Sequence, residues 1–167
     1  MSGPAVRRLA DGSVELEHLG PWVVAVLGDL PDLLDGDQPR RVRRRLYPAP
    51  SDDLEHRREW KRLVHPELFA LLASARAIVD RDLRRIEPEN GAGLGWHLQI
   101  PRKHVAGWLS ALNAARLTLA ELHDIGEEEM AREDLEVCDE RTAAVAKIHL
   151  LGLLQQLLIE GTERPGV

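Results

Sequence analysis

Hydrophobic positions recur with a helical period along most of the chain and alternate over two short stretches. The clearest helical period covers residues 105–126. Val105, Trp108, Leu109, Leu112, Leu119 and Leu122 fall at three- and four-residue steps and share one face of a predicted central helix. Pro101 stands where its first turn would begin and Gly126 where it would stop. Residues 140–160 predict a last helix that is apolar nearly all round, through Ile148, Leu151, Leu154, Leu158 and their neighbours. Such a helix is expected either to be well buried or to form a homodimer interface, with Gly152 permitting close approach.

Upstream, Pro21 opens a helix to about Leu34 that Pro31 should kink or break near Leu30. Ser51, Asp52 and Asp53 form an N-cap signal for a helix to about Val64. Pro66 restarts it, with Leu68, Leu72, Ala75, Val79 and Ile86 on one face. Residues 35–50 hold Gly36, Pro39, Pro48 and Pro50 and read as a loop. Residues 88–95 carry three glycines and predict a flexible connection. Val14 and Leu16 alternate with Glu15 and Glu17 after Asp11 and Gly12, a two-residue hairpin signal. Residues 96–100 also alternate and supply the third strand an isolated hairpin needs. The expected fold is mainly α, of the α+β class: a helical bundle with a small antiparallel sheet from the N-terminal hairpin and the strand at 96–100. A chain of 167 residues fits one regulatory or interaction domain over residues 1–160, followed by a disordered tail at 161–167.

Charge changes this picture. The chain is net −6, yet residues 38–62 hold nine basic and four acidic side chains, net +5. The remainder is therefore net −11, and residues 120–140 alone hold ten acids against Arg132. The overall balance argues against direct nucleic-acid binding. Arg40, Arg41, Arg43 and Arg44 concentrate the positive charge. They fit a solvated loop, a loop docked on the chain's own acidic surface, or a docking surface for an acidic partner.

Candidate chemistry is sparse. The chain has no phosphate-binding glycine loop, nucleophile elbow, zinc-protease helix or dinucleotide fingerprint, so no enzyme activity and no cofactor are expected. The seven histidines are spread over separate elements and the acidic stretch lacks calcium-loop spacing, so no metal site is expected. Cys138 is the only cysteine, which excludes an intramolecular disulfide. It remains a candidate redox thiol only through an intermolecular disulfide or a sulfenic acid. No secretory leader pattern follows Arg7 and Arg8, and the apolar run 148–159 is too short for a membrane span, so a cytoplasmic protein is expected.

One polar constellation stands out: Arg45, Asp52, Asp53, Glu59, Asn113 and Arg116. Arg116 lies at the edge of the central helix's apolar face, and a partly buried guanidinium needs a carboxylate. Asp53 or Glu59 is expected to supply it, with Asn113 bonding the adjoining loop backbone, as a structural clamp. The alternative is an anionic-metabolite site, in a sensor or an unrecognised enzyme, at Arg116 and Asn113.

These residues fall in a recognisable order: Arg45, Tyr47 and Pro48; Asp52 and Asp53; Glu59 to Leu63; then Trp108, Leu109, Leu112, Asn113 and Arg116; and finally Leu151, Gly152, Leu154, Gln156 and Leu158. Over about residues 10–160 the chain resembles the actinobacterial AosR family of oxidative-stress transcriptional regulators, long classed only as a domain of unknown function. The resemblance implies a non-enzymatic cytoplasmic regulator acting through RNA polymerase and an alternative sigma factor, with an N-terminal cysteine pair as redox switch. This chain departs from that pattern, because its N-terminal segment has no cysteine. An adaptor-type or dimeric interaction module is the remaining alternative.

Overall fold

The computed structural model describes residues 3–90, 95–132 and 134–163. Strands β1 (Ala5–Arg8), β2 (Val14–Leu19), β3 (Glu87–Pro88) and β4 (Trp96–Ile100) form one sheet. Helices α1 (Pro21–Gly28), α2 (Leu30–Leu33), α3 (Arg40–Leu46), α4 (Leu54–Leu63), α5 (His65–Leu83), α6 (Val105–Leu122), α7 (Glu127–Met130) and α8 (Glu140–Glu163) surround α6 or extend from its neighbours. The fold is the expected mainly helical α+β arrangement, and one hydrophobic core runs from Val14 to Leu158.

The predicted central helix is central. α6 packs against α2, α3, α5 and α8. It buries Val105, Trp108 and Leu112 together with Ala111, Ala114 and Ala115, and those alanines let several helices approach at once. It stops at Leu122 rather than near Gly126. Asp124 takes a left-handed φ of +52°, and the Ile125 N–H returns to the Ala120 carbonyl at 2.9 Å. That is a Schellman-type ending with an aspartate in the place usually held by glycine. Gly126 instead precedes α7 as its N-cap.

Proline acts as expected at two other places. α1 gives way to α2 around Asp29, and α4 passes into α5 at Val64. Residues 35–50 are not all loop, however: α3 lies between Pro39 and Pro48. Pro39 precedes the helix instead of interrupting it, arginine is a good helix former, and fully buried Val42 anchors α3 on the core.

The sheet order is β1-β2-β4-β3, antiparallel throughout. β4 is the third strand expected for the hairpin and joins it through β2, whereas β3 overlaps the start of the stretch read as a flexible connection. Residues 91–94 of that connection lie outside the described residues, as do residues 164–167 of the expected tail. The hairpin loop is longer than the two-residue signal implied. Leu9 pairs with Ser13, and Gly12 at φ +81° completes a three-residue turn, Asp11 accepting from the Ser13 N–H at 2.9 Å. A bulge between Leu16 and Leu19, with His18 at φ +57°, keeps Val14, Leu16 and Leu19 all facing the core.

α8 runs three residues further than expected, to Glu163. Its buried stripe, including Val145, Ile148, Leu151, Leu154 and Leu158, packs on α6 and the sheet, while Leu153 and Ile159 stay exposed. Among the described residues it is the one helix long and apolar enough to cross a membrane, so the length argument made for residues 148–159 does not hold for the whole helix. Gly161 lies so close to the sheet that a Cβ there would sit 2.7 Å from Val6 Cγ2.

One polar joint lies inside this apolar assembly. Asp82, near the end of α5, is fully buried. Its Oδ2 accepts the Trp108 indole N–H at 2.9 Å. Its two oxygens lie 3.0 and 2.9 Å from His104 Nδ1, which must carry a hydrogen to meet an acceptor-only carboxylate. Trp108 is fully buried and His104 nearly so. α5 is thereby pinned to the start of α6. Removing the carboxylate leaves two buried donors unpaired, and Asp82→Ala is expected to lower unfolding free energy by about 3 kcal/mol. Urea denaturation followed by circular dichroism measures this, and a variant as stable as the parent would contradict the reading.

Candidate anion-binding cleft

Three consecutive helices build the site. On α3, Val42 turns inward, and Arg40, Arg43 and Arg44 share another side at one-turn spacing. α4 is capped by Asp53, whose Oδ1 accepts from the N–H groups of Glu55 at 2.8 Å and His56 at 3.1 Å. None of its residues is buried, and its principal packing is on α5. Arg57, Trp60 and Lys61 therefore recur on one side of α4 with solvent access. The exposed first turns of α5 add His65 and Phe69, one turn apart.

Together these residues enclose an open cleft of about 780 Å³. The Tyr47 ring lies 4.9 Å from His65 and 6.3 Å from Phe69, centroid to centroid. Trp60 meets His65 edge-on at 5.8 Å. Gly36 leaves room for Phe69, since a Cβ there would stand 3.2 Å from the ring. Partial burial pushes the Tyr47 phenol above its ordinary pKa, so it stays neutral.

The electrostatics are one-sided. Arg40, Arg43, Arg44, Arg57 and Lys61 line the cleft and, among the described residues, no carboxylate does. Arg57 is engaged, donating to the Ser51 carbonyl at 2.9 Å and to Asp52 at 3.1 Å. Arg40, Arg43, Arg44 and Lys61 have no side-chain hydrogen bond or ion pair among the described residues. The other arginines of α3 hold it in place: Arg41 donates to the Leu122 carbonyl at 3.1 Å, and Arg45 lies 3.8 Å from Glu121. So the basic run divides. Three of the four arginines singled out from the sequence face the cleft, and Arg41 does not.

The expected clamp does not form. Arg116 donates to Gln155 Oε1 on α8 at 2.8 Å, and Gln155 in turn donates to the Leu109 carbonyl at 3.3 Å. Arg116 Nε is buried with no partner. Asp53 is spent on capping α4, Asp52 pairs with Arg57, Arg45 approaches Glu121, and Glu59 is exposed on α4. Asn113 is exposed beside a groove lined by Leu46, Tyr47 and Leu72. The physical reason is placement: Arg116 faces α8, whereas α4 rests on α5. The cleft's aromatic members and its two α4 cations were missed, although the spacing of Arg57, Trp60 and Lys61 carried the signal.

Cys138 is exposed, its backbone N–H bonded to Thr142 Oγ1 at 3.1 Å. Within the acidic segment, Arg141 holds α7 by donating to both Glu129 oxygens at 2.7 Å and to the His123 and Asp124 carbonyls. Hydrogen bonds from Arg141, then from the Gly126 N–H, lower the Glu129 pKa to about 2. Among the described residues no group of three or more His, Cys, Asp or Glu is placed to hold a metal ion.

Residues 5–161 match the family described as "Domain of unknown function (DUF2017)". No curated protein and no solved structure matches the chain.

Two outcomes follow from these contacts. Replacing Arg116 by Met removes the hydrogen bond to Gln155 together with a buried, unsatisfied N–H, and no ion pair, so the two effects offset and stability should stay within about 1 kcal/mol of the parent in urea unfolding. A loss of several kcal/mol would restore the clamp. The Glu129 pKa is depressed in the folded state, so its contribution is present above the ordinary value of 4.5 and is lost as pH falls toward about 2. The melting-temperature gap between the parent and Glu129→Gln should be widest at neutral pH and close over that window. A gap independent of pH would refute the assignment.

Proposed function

We propose that the chain, which belongs to the DUF2017 family, is a non-enzymatic regulatory module that docks on an acidic partner through the α3–α4–α5 cleft. One observation carries this reading: four cations without partners among the described residues face a single cleft that no described carboxylate lines. Concentrated like charges repel one another, and an acidic ligand relieves that repulsion while steering encounter. The resemblance to AosR-type regulators supplies the partner class, RNA polymerase with an alternative sigma factor, and a cytoplasmic setting. Regulation here proceeds without an intramolecular disulfide, since Cys138 is the only thiol. The metabolite-site alternative at Arg116 and Asn113 has less support. Arg116 is engaged by α8, and Asn113 borders a separate groove.

The double variant Arg43→Glu/Arg44→Glu tests the docking surface. Both side chains are exposed and unpaired, so helicity should be unchanged, while capture of partners from the native cell should fall at least about tenfold. Unaltered capture would remove the cleft as the docking surface.

A further inference from the structure

Acidic docking accounts for the cations of the cleft but not for its rings. Tyr47, Trp60 and His65 stand within 6 Å of one another in successive pairs and leave ring surface open to the same space that the free cations face. Such rings are stacking platforms for flat π systems, and arginine stacks on the same faces. Clustered guanidinium and ammonium groups match phosphate oxygens, which accept several charge-assisted hydrogen bonds each. A ligand that uses both halves carries phosphates joined to a heteroaromatic base.

Size and charge narrow the class further. The cleft, at about 780 Å³, lies within the range of small-molecule sites. Arg40, Arg43, Arg44 and Lys61 supply four unpartnered positive charges, which suits a diphosphate or triphosphate better than a single phosphate. A long polyanion is disfavoured, because the chain outside residues 38–62 is net −11 and would repel strand beyond the cleft. A short anion meets only the local positive field.

We propose that the cleft binds a nucleoside polyphosphate, its phosphates held by Arg40, Arg43, Arg44 and Lys61 and its base stacked against Trp60 and Tyr47. This rests on the reading of the cleft as the chain's functional surface.

Titration calorimetry of the full chain in low-salt, magnesium-free buffer tests it with ATP, GTP, inorganic tripolyphosphate and a short oligouridylate. At least one nucleotide should bind about tenfold or more tighter than tripolyphosphate, the margin a stacked base supplies. Trp60→Ala should bring that nucleotide down to the tripolyphosphate level while leaving tripolyphosphate unchanged. Arg43→Glu/Arg44→Glu should abolish binding of both, and Lys61→Glu, on a different helix, should weaken both if the α3 variant fails to fold. Nucleotides no tighter than tripolyphosphate would overturn the proposal, as would no binding of either. An oligouridylate preferred over every mononucleotide would also overturn it, in favour of single-stranded RNA. Partner capture is scored on the same variants. Capture lost in the arginine double variant, with no nucleotide bound by the parent, refutes this inference alone. Nucleotide bound with capture unchanged refutes the docking reading alone.

Discussion

The buried carboxylate of Asp82 is the contact on which the arrangement of the helices depends. It is fully buried and answers two donors at the start of α6, His104 and Trp108. Apolar packing is tolerant of direction, and a hydrogen-bonded carboxylate in a dry interior is not. Asp82 therefore fixes where the C-terminal half of α5 lies against α6, helped by Ala75 and Val79. The N-terminal half of α5 has no fully buried residue, touches the core through half-buried Leu72, and carries α4.

That exposure explains how a chain with net negative charge keeps an exposed basic cleft. α4 contributes nothing to the core, and α3 contributes chiefly Val42 and half-buried Leu46. α3 is anchored by side chains that point away from the cleft: Val42 into the core, Arg41 to the end of α6, Arg45 toward Glu121. Arg40, Arg43 and Arg44 are thus free of structural duty. Their mutual repulsion is tolerated because they are exposed and screened by solvent and salt. On the acidic side the opposite holds. Arg141 gathers Glu129 and two backbone carbonyls, so the α7 turn is tied down by its own ion pair.

Local pattern made much of the fold readable, and the failures have identifiable causes. The apolar spacing of α6 and α8, the breaks at Pro31 and Pro66, and the alternation of β2 and β4 all follow from rules that act within a few residues, and the pairing of β4 with the hairpin follows because an isolated hairpin needs a third strand. α3 was hidden because its flanking prolines look like loop residues although they only bracket a helix. The end of α6 was misplaced because Asp124 adopts the left-handed conformation that a reader assigns to Gly126. Arg116 was given the wrong partner because spacing shows that a guanidinium is half-buried but not which helix covers it. The Asp82 joint was legible in principle, since Ala75, Val79 and Asp82 share one helical stripe and an acid on an apolar stripe demands donors. The halves of the cleft were visible separately, as a basic run and as Arg57, Trp60 and Lys61. The connection at residues 47–53 and the turn at Val64 together bring them to one cleft.

Residue-resolved hydrogen exchange of the intact chain is the most direct check on the central claim, that a rigid α5–α6 joint carries a helix without a core of its own. The Trp108 indole N–H, held by Asp82, should exchange only through global unfolding, while α4 amides exchange through local opening at far lower free energy. A Trp108 indole that exchanges as fast as the half-exposed Trp22, or an α4 as protected as α6, would contradict the account.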